Sequence, residues 1–169
     1  MPGKVRKYDV KKELENWFSH PQKVVLAGIG NPIRRDDFVG VKIIENLKEK
    51  VSERIFLIEC ETVPESFIQQ IVDFGPTHVL LIDAAILELR PGECKLIDSE
   101  ELTSSSAFST HMLPLKIFCE CISQMTKAKI ALLLIQPKDM DFGEGMSPKL
   151  QASARNISRI LIDSLRDLR

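Results

Sequence analysis

Residues 23–47 read KVVLAGIGNPIRRDDFVGVKIIENL, and this stretch decides the fold. Lys23 is followed by a continuous apolar run that ends at Gly28, as in a strand buried on both faces. Phe38, Val41 and Ile44 then recur at the spacing of one helix face. A buried strand followed by an amphipathic helix is typical of a parallel sheet covered by helices.

The rest of the chain repeats this alternation. Further strands are predicted at residues 54–59, 77–83 and 129–135, with an edge strand at 93–97. Helices are predicted from Pro64 to Gly75, from His111 to Met125, and from Pro148 towards the C-terminus. The pattern predicts an α/β fold, a single-domain three-layer αβα sandwich with a mostly parallel sheet.

Length and composition narrow the function classes. The 169 residues predict one main domain at residues 23–169, preceded by an N-terminal extension, residues 1–22, that is predicted to be helical. Hydrophobic residues make up 44% and the net charge is −1, which argues against a disordered chain and against a nucleic-acid partner. No stretch resembles a signal peptide or a spanning helix, so we expect no membrane insertion and a cytoplasmic protein with four reduced cysteines.

The loop after the first strand begins Gly28-Ile29-Gly30, which resembles the start of a dinucleotide-binding turn. The third glycine of that motif is replaced by Ile33, whose branched side chain would block close approach of a pyrophosphate. We therefore predict no nucleotide cofactor.

Ionisable side chains stand where strands are predicted to end, the edge at which open α/β sheets bind ligands. Asp36 and Asp37 precede the first long helix, and the alternative role for them is to cap it or to face its dipole. Asp83 ends an apolar strand, where its alternative role is to cap loop amides. His111 begins a predicted helix and taken alone is an ordinary helix-end residue.

Taken together, Asp37, Asp83 and His111 are expected at one edge of the sheet. Two carboxylates and one imidazole suit a divalent first-row metal such as zinc or nickel, with a coordination position left open. The separations along the chain are long, so their convergence is a prediction about the fold.

The order G-x-G-N-x-x-x-x-D-D, L-x-D-A and T-H-x-x-P-L resembles the [NiFe]-hydrogenase maturation proteases, and the formate hydrogenlyase (hydrogenase 3) subgroup in particular. The resemblance runs from about residue 23 to the end. It implies an endopeptidase that removes the C-terminal extension of a [NiFe]-hydrogenase large-subunit precursor after nickel insertion. It also implies that Asp37, Asp83 and His111 bind the metal and act in catalysis, with Asp36 as a further catalytic candidate.

The resemblance further implies that nickel arrives with the precursor and is not held permanently. Two departures from the family pattern stand out. Asp37 takes a place where many relatives have glutamate, and the loop Glu59–Thr62 lacks the glycines that follow the second strand in many relatives. The rival interpretations are a non-catalytic nickel-sensing or chaperone module and a small-molecule hydrolase or nucleotide-binding protein.

Overall fold

The computed structural model describes residues 9–104 and 112–168. Five strands form one sheet: β1 (Val24–Ile29), β2 (Ile55–Glu61), β3 (His78–Ala84), β4 (Cys94–Asp98) and β5 (Lys129–Ile135). The strand order is β2-β1-β3-β5-β4. The first four strands in this order run parallel, and β4 pairs antiparallel with β5 at the edge. The predicted mostly parallel sheet with one edge strand is confirmed.

Six α-helices flank this sheet in the described residues: α1 (Val10–Trp17), α2 (Val39–Leu47), α3 (Ile68–Phe74), α4 (Ser99–Ser104), α5 (Leu113–Met125) and α6 (Pro148–Ser164). Short 3-10 turns lie at Arg35–Phe38, Pro64–Phe67 and Arg166–Leu168. Within these residues, no helix is both long and apolar enough to cross a membrane.

Two apolar cores separate the three layers. On one face of the sheet, α1, α2 and α6 bury Leu14, Ile43 and Leu161. On the other face, α3 and α5 bury Ile71 and Phe118. Both faces of the central strands are covered, which explains why these strands are apolar without alternation. The three-layer αβα fold class is confirmed.

The described part of the N-terminal extension contains one helix, α1, at Val10–Trp17. Asp9 caps α1, its side chain accepting a hydrogen bond from the Lys12 N–H at 3.3 Å. Leu14 is fully buried in the same core as α2 and α6. This helix is therefore part of the apolar packing on that face of the sheet.

The second strand is longer than predicted. The sequence predicts that it ends at Glu59, but β2 continues to Glu61, with a register shift opposite Gly28 and Ile29. Glu59 lies inside the strand, and its Oε1 is 2.7 Å from Lys48 Nζ. The prediction that Glu59 ends this strand is wrong, because pairing with β1 resumes after the register shift and the Glu61 carbonyl accepts a hydrogen bond from the Gly30 N–H at 2.8 Å.

Candidate active site

Three glycines allow α2 and the turn before it to approach the sheet closely. A Cβ on Gly28 would collide with the carbonyl oxygen of Gly40, and one on Gly40 would collide with the backbone of Ile29 and Ile82. A Cβ on Gly30 would meet the carbonyl of Asp37. Gly30, directly after β1, therefore allows the backbone of Asp37 to lie against the carboxyl end of this strand.

Asp36 is fully buried and fastens a distant loop to this turn. Its Oδ2 accepts hydrogen bonds from the N–H groups of Lys138 and Asp139, both at 2.9 Å. The N–H of Ser147 donates to Oδ1 at 2.6 Å, and the Ser147 hydroxyl donates to Oδ2 at 2.9 Å. These four bonds place the carboxylate of Asp36 in a structural role, because its lone pairs are directed at the 138–147 loop.

The same loop is attached to the first one through several backbone contacts. The Gly143 N–H donates to the Ile33 carbonyl at 2.8 Å, and the Arg35 N–H donates to the Gly143 carbonyl at 3.1 Å. Arg34 Nε also donates to the Met140 carbonyl at 3.2 Å. The loops that follow β1 and β5 therefore behave as one unit at the carboxyl edge of the sheet.

Asp37 is half-buried and accepts a hydrogen bond from within its own loop. The Asn31 N–H donates to Asp37 Oδ2 at 3.0 Å, and Asn31 Oδ1 accepts from the Ile33 N–H at 3.1 Å. Asn31 thus forms a turn with the Ile33 backbone and also holds one carboxylate oxygen of Asp37 in place. Neither Asp36 nor Asp37 caps α2, whose preceding residue Phe38 makes no side-chain capping bond.

Asp83 lies at the end of β3, half-buried, with its side chain on the same sheet face as Leu81. Burial, and to a smaller extent the negative charge of Asp37, raise the pKa of the Asp83 carboxyl to about 8, while the hydrogen bond from the Ala84 N–H acts in the opposite direction. That N–H donates to Asp83 Oδ1 at 2.8 Å. The effect of the Asp37 charge on Asp83 shows that the structure brings these two predicted residues near each other.

A thiol lies near this pair. Cys60 is buried near the end of β2. Burial raises the pKa of the Cys60 thiol to about 12, and the charges of Glu65 and Asp83 act in the same direction. The thiol therefore stays protonated in the free protein and is a poor ligand for a metal in that state.

Comparison with known proteins identifies the family. The family model for hydrogenase maturation proteases (HycI) matches residues 41–164. A candidate hydrogenase maturation protease of Methanocaldococcus jannaschii is 33% identical, over 95% of this chain and 98% of its own. The chain belongs to the hydrogenase maturation protease family.

Two further relatives agree with this assignment. The crystal structure of a [NiFe] hydrogenase maturation protease HycI from Thermococcus kodakarensis is 33% identical with a TM-score of 0.86, covering 91% of this chain and 99% of the other. The hydrogenase 3 maturation protease of Escherichia coli K12 is 26% identical over 79% of this chain and 85% of its own. This protease is therefore an endopeptidase of hydrogenase maturation, and the resemblance to the hydrogenase 3 type is confirmed.

The third predicted ligand of the protease, His111, lies outside the described residues. Among residues 9–104 and 112–168, no three His, Cys, Asp or Glu side chains are grouped in a way that could hold a metal ion. Asp37 and Asp83 are therefore the two residues of the predicted set that the structure describes.

Sequence reasoning missed the role of Ser147. Ser147 occupies the N-cap position of α6, directly before Pro148. Its hydroxyl, however, donates to Asp36, so it makes no capping bond to α6.

Proposed function

We propose that this protease removes the C-terminal extension of a [NiFe]-hydrogenase large-subunit precursor after nickel insertion, and that it recognises the bound nickel. The observation that supports this most is the neighbouring pair Asp37 and Asp83 at the carboxyl edge of the sheet. Burial and the charge of Asp37 raise the pKa of the Asp83 carboxyl, and a divalent cation bound between the two groups would offset both effects.

The proposed ligands are Asp37, Asp83 and, from the segment outside the described residues, His111. Carboxylate and imidazole groups are suitable ligands for nickel. A set of three leaves positions for the ligands that the precursor already provides. The nickel is thus part of the substrate, and the protease carries no permanent metal and no nucleotide cofactor in this proposal.

The residues of the chain have separate tasks in the reaction. Asn31 holds one oxygen of Asp37 in place, so this carboxylate meets the substrate without first being ordered. Asp83 holds a proton near neutral pH and releases it when a cation approaches, since its pKa is about 8. Asp36 is a positioning residue in this proposal, because its oxygens are already engaged by Lys138, Asp139 and Ser147.

The main effect proposed for this site is orientation. A precursor gripped through its nickel presents the neighbouring peptide bond to the site in one geometry, which removes much of the entropic barrier to hydrolysis. We further propose that the protease acts in the cytoplasm on the C-terminal region of the precursor, with neither nucleic acid nor membrane as a partner.

Incubation of the protease with its nickel-loaded precursor, followed by intact-mass spectrometry, tests the proposal. We expect loss of one peptide of defined mass from the C-terminus. Stable binding without any mass change would instead support a nickel-sensing module. If the protease neither binds nor cleaves the precursor, the result would instead point to a small-molecule substrate on the same fold.

A further inference from the structure

A groove of about 630 Å³ lies between α2 and α6. Both helices begin near the carboxyl edge of the sheet and cover the same face, and the groove runs from this edge along both helices as far as Asn46 and Arg155. Within the groove, Asn46 Nδ2 donates to Ser158 Oγ at 3.2 Å and ties the two helices together. Its volume is in the range of pockets that hold small ligands or peptide side chains.

The groove begins at the loop that holds Asp37. Ile33 and Phe38 both line it, and Phe38 follows Asp37 directly in the chain. The turn that Asn31 makes connects Ile33 to the Asp37 carboxylate through hydrogen bonds of 3.1 and 3.0 Å. The groove is therefore adjacent to the loop of Asp37 at the carboxyl edge of the sheet, and Asp37 itself lies just outside its lining.

The walls of the groove are largely apolar. Ile33, Phe38, Met146 and Ala154 supply this surface, and the side chain of Ile33 is 43% exposed. Such a surface gains free energy when a large apolar side chain covers it. Phe38 also presents an aromatic ring, a residue type enriched where proteins bind each other.

The two cationic side chains that line the groove, Lys42 and Arg155, differ in whether they have an anionic partner. Lys42 Nζ lies 3.0 Å from Glu45 Oε2, so this ammonium already has an anionic neighbour. Glu144 also lines the groove. Arg155 is exposed on α6, and none of the ion pairs or hydrogen bonds of the described residues includes its guanidinium. Arg155 is therefore available for a carboxylate, which it can hold through two parallel hydrogen bonds.

We propose that this groove binds the segment of the precursor beside the scissile bond, with one apolar side chain between α2 and α6 and an acidic side chain on Arg155. This inference rests on the proposed function and adds a sequence preference to it. Nickel gives the protease its signal that the precursor is loaded. The groove gives it a means to select one hydrogenase precursor over another of the same nickel content.

Arg155→Glu tests the charge, and Arg159→Glu is its control. Arg159 is exposed on the same helix one turn later and does not line the groove. With the nickel-loaded precursor as substrate, we expect Arg155→Glu to raise KM about tenfold or more and to change kcat little, because the lost interaction is charge-assisted. Arg159→Glu should leave KM within about twofold of the wild type.

Charge exchange identifies the partner in the precursor. A set of precursor variants is made, each with one acidic residue near the cleavage position replaced by lysine. One of these variants should restore a low KM with the Arg155→Glu protease. Arg155→Ala checks that the effect is not confined to the reversed charge. An unchanged KM for both variants would overturn the groove proposal. Cleavage by the wild-type protease would still support the proposed function in that case. If the wild type does not cleave, both proposals fall together.

The apolar part has its own matched pair. Ile33→Ser removes an exposed apolar side chain of the groove, and Met125→Ser removes one that is 50% exposed at the end of α5, far from it. We expect KM to rise severalfold for Ile33→Ser only. Equal effects of the two substitutions would contradict apolar binding in the groove.

Discussion

Asp36 and Asp37 are adjacent in the chain, yet they belong to two regions with opposite properties. Asp36 is fully buried and accepts four hydrogen bonds from Lys138, Asp139 and Ser147. Asp37 and Asp83 are half-buried, and each accepts one hydrogen bond within the described part of the chain. The first region stabilises the loop framework, whereas the second keeps carboxyl oxygens that accept no hydrogen bond from the described residues.

This difference teaches that hydrogen-bond satisfaction, and not residue type, separates structure from function here. A carboxylate whose lone pairs are all used gains nothing from a metal ion. A carboxyl group such as Asp83, whose pKa is raised by burial and by the charge of Asp37, gains more. The predictions below test this contrast, beginning with the largest expected effect.

Replacement of Asp37 or Asp83 with alanine should reduce processing roughly 100-fold or more while the protein still folds, because misplacement of reacting groups alone has an effect of that size. His111→Ala should do the same if this residue is the third ligand. The measurement is the rate of precursor cleavage, with circular dichroism to check the fold. Asp73→Ala, on the exposed surface of α3, is the control. An Asp83→Ala variant that cleaves the precursor at the normal rate would refute the assignment of Asp83 to the active site.

Asp36→Ala should mainly destabilise the protein. It leaves three backbone N–H groups and one hydroxyl without their acceptor, and we expect the free energy of unfolding to fall by about 2–4 kcal/mol. Urea denaturation measures the change, and amide hydrogen exchange should increase in residues 138–147. Asp36→Asn keeps one acceptor oxygen and should show a smaller loss if the alanine variant does not fold. Unaltered stability in both variants would show that these bonds contribute little.

Much of this arrangement follows from the sequence. The apolar strands predict the sheet, and the order of the motifs predicts that Asp37 and Asp83 lie at its carboxyl edge. Which of the two adjacent aspartates faces inwards could not be predicted, because it depends on contacts with a loop about 100 residues later. The continuation of β2 past Glu59 also escaped prediction, since it depends on a register shift beside Gly28.

Asp83→Asn should stabilise the protein at alkaline pH. The pKa of Asp83 is raised in the folded state, so the folded state binds more protons and loses stability as pH rises from about 4 to about 8. Asparagine has no proton to lose and keeps an acceptor for the Ala84 N–H. We expect a gain of about 1–3 kcal/mol at pH 8.5, less than full burial would give because the side chain is half-buried. At pH 4 the two proteins should have equal stability in thermal unfolding, and a gain of the same size there would contradict the linkage.

Asp37→Asn should have the smallest effect, on the titration of its neighbour. The charge of Asp37 contributes to the raised pKa of Asp83, so its removal should lower that pKa without returning it to the ordinary value. Carbon-detected NMR of the Asp83 carboxyl measures the midpoint directly. Asp73→Asn should leave the titration unchanged, and an identical midpoint in Asp37→Asn would show that the two carboxylates do not interact.

Cleavage of nickel-loaded and nickel-free precursor by metal-free protease tests the central claim most directly. The protease is treated with a chelator, freed of the chelator by gel filtration, and mixed with each precursor, and the products are weighed by mass spectrometry. We predict complete removal of the C-terminal peptide from the loaded precursor and none from the nickel-free one, even with protease in excess. Cleavage of the nickel-free precursor, or a requirement for one tightly bound zinc per protease chain, would contradict the account.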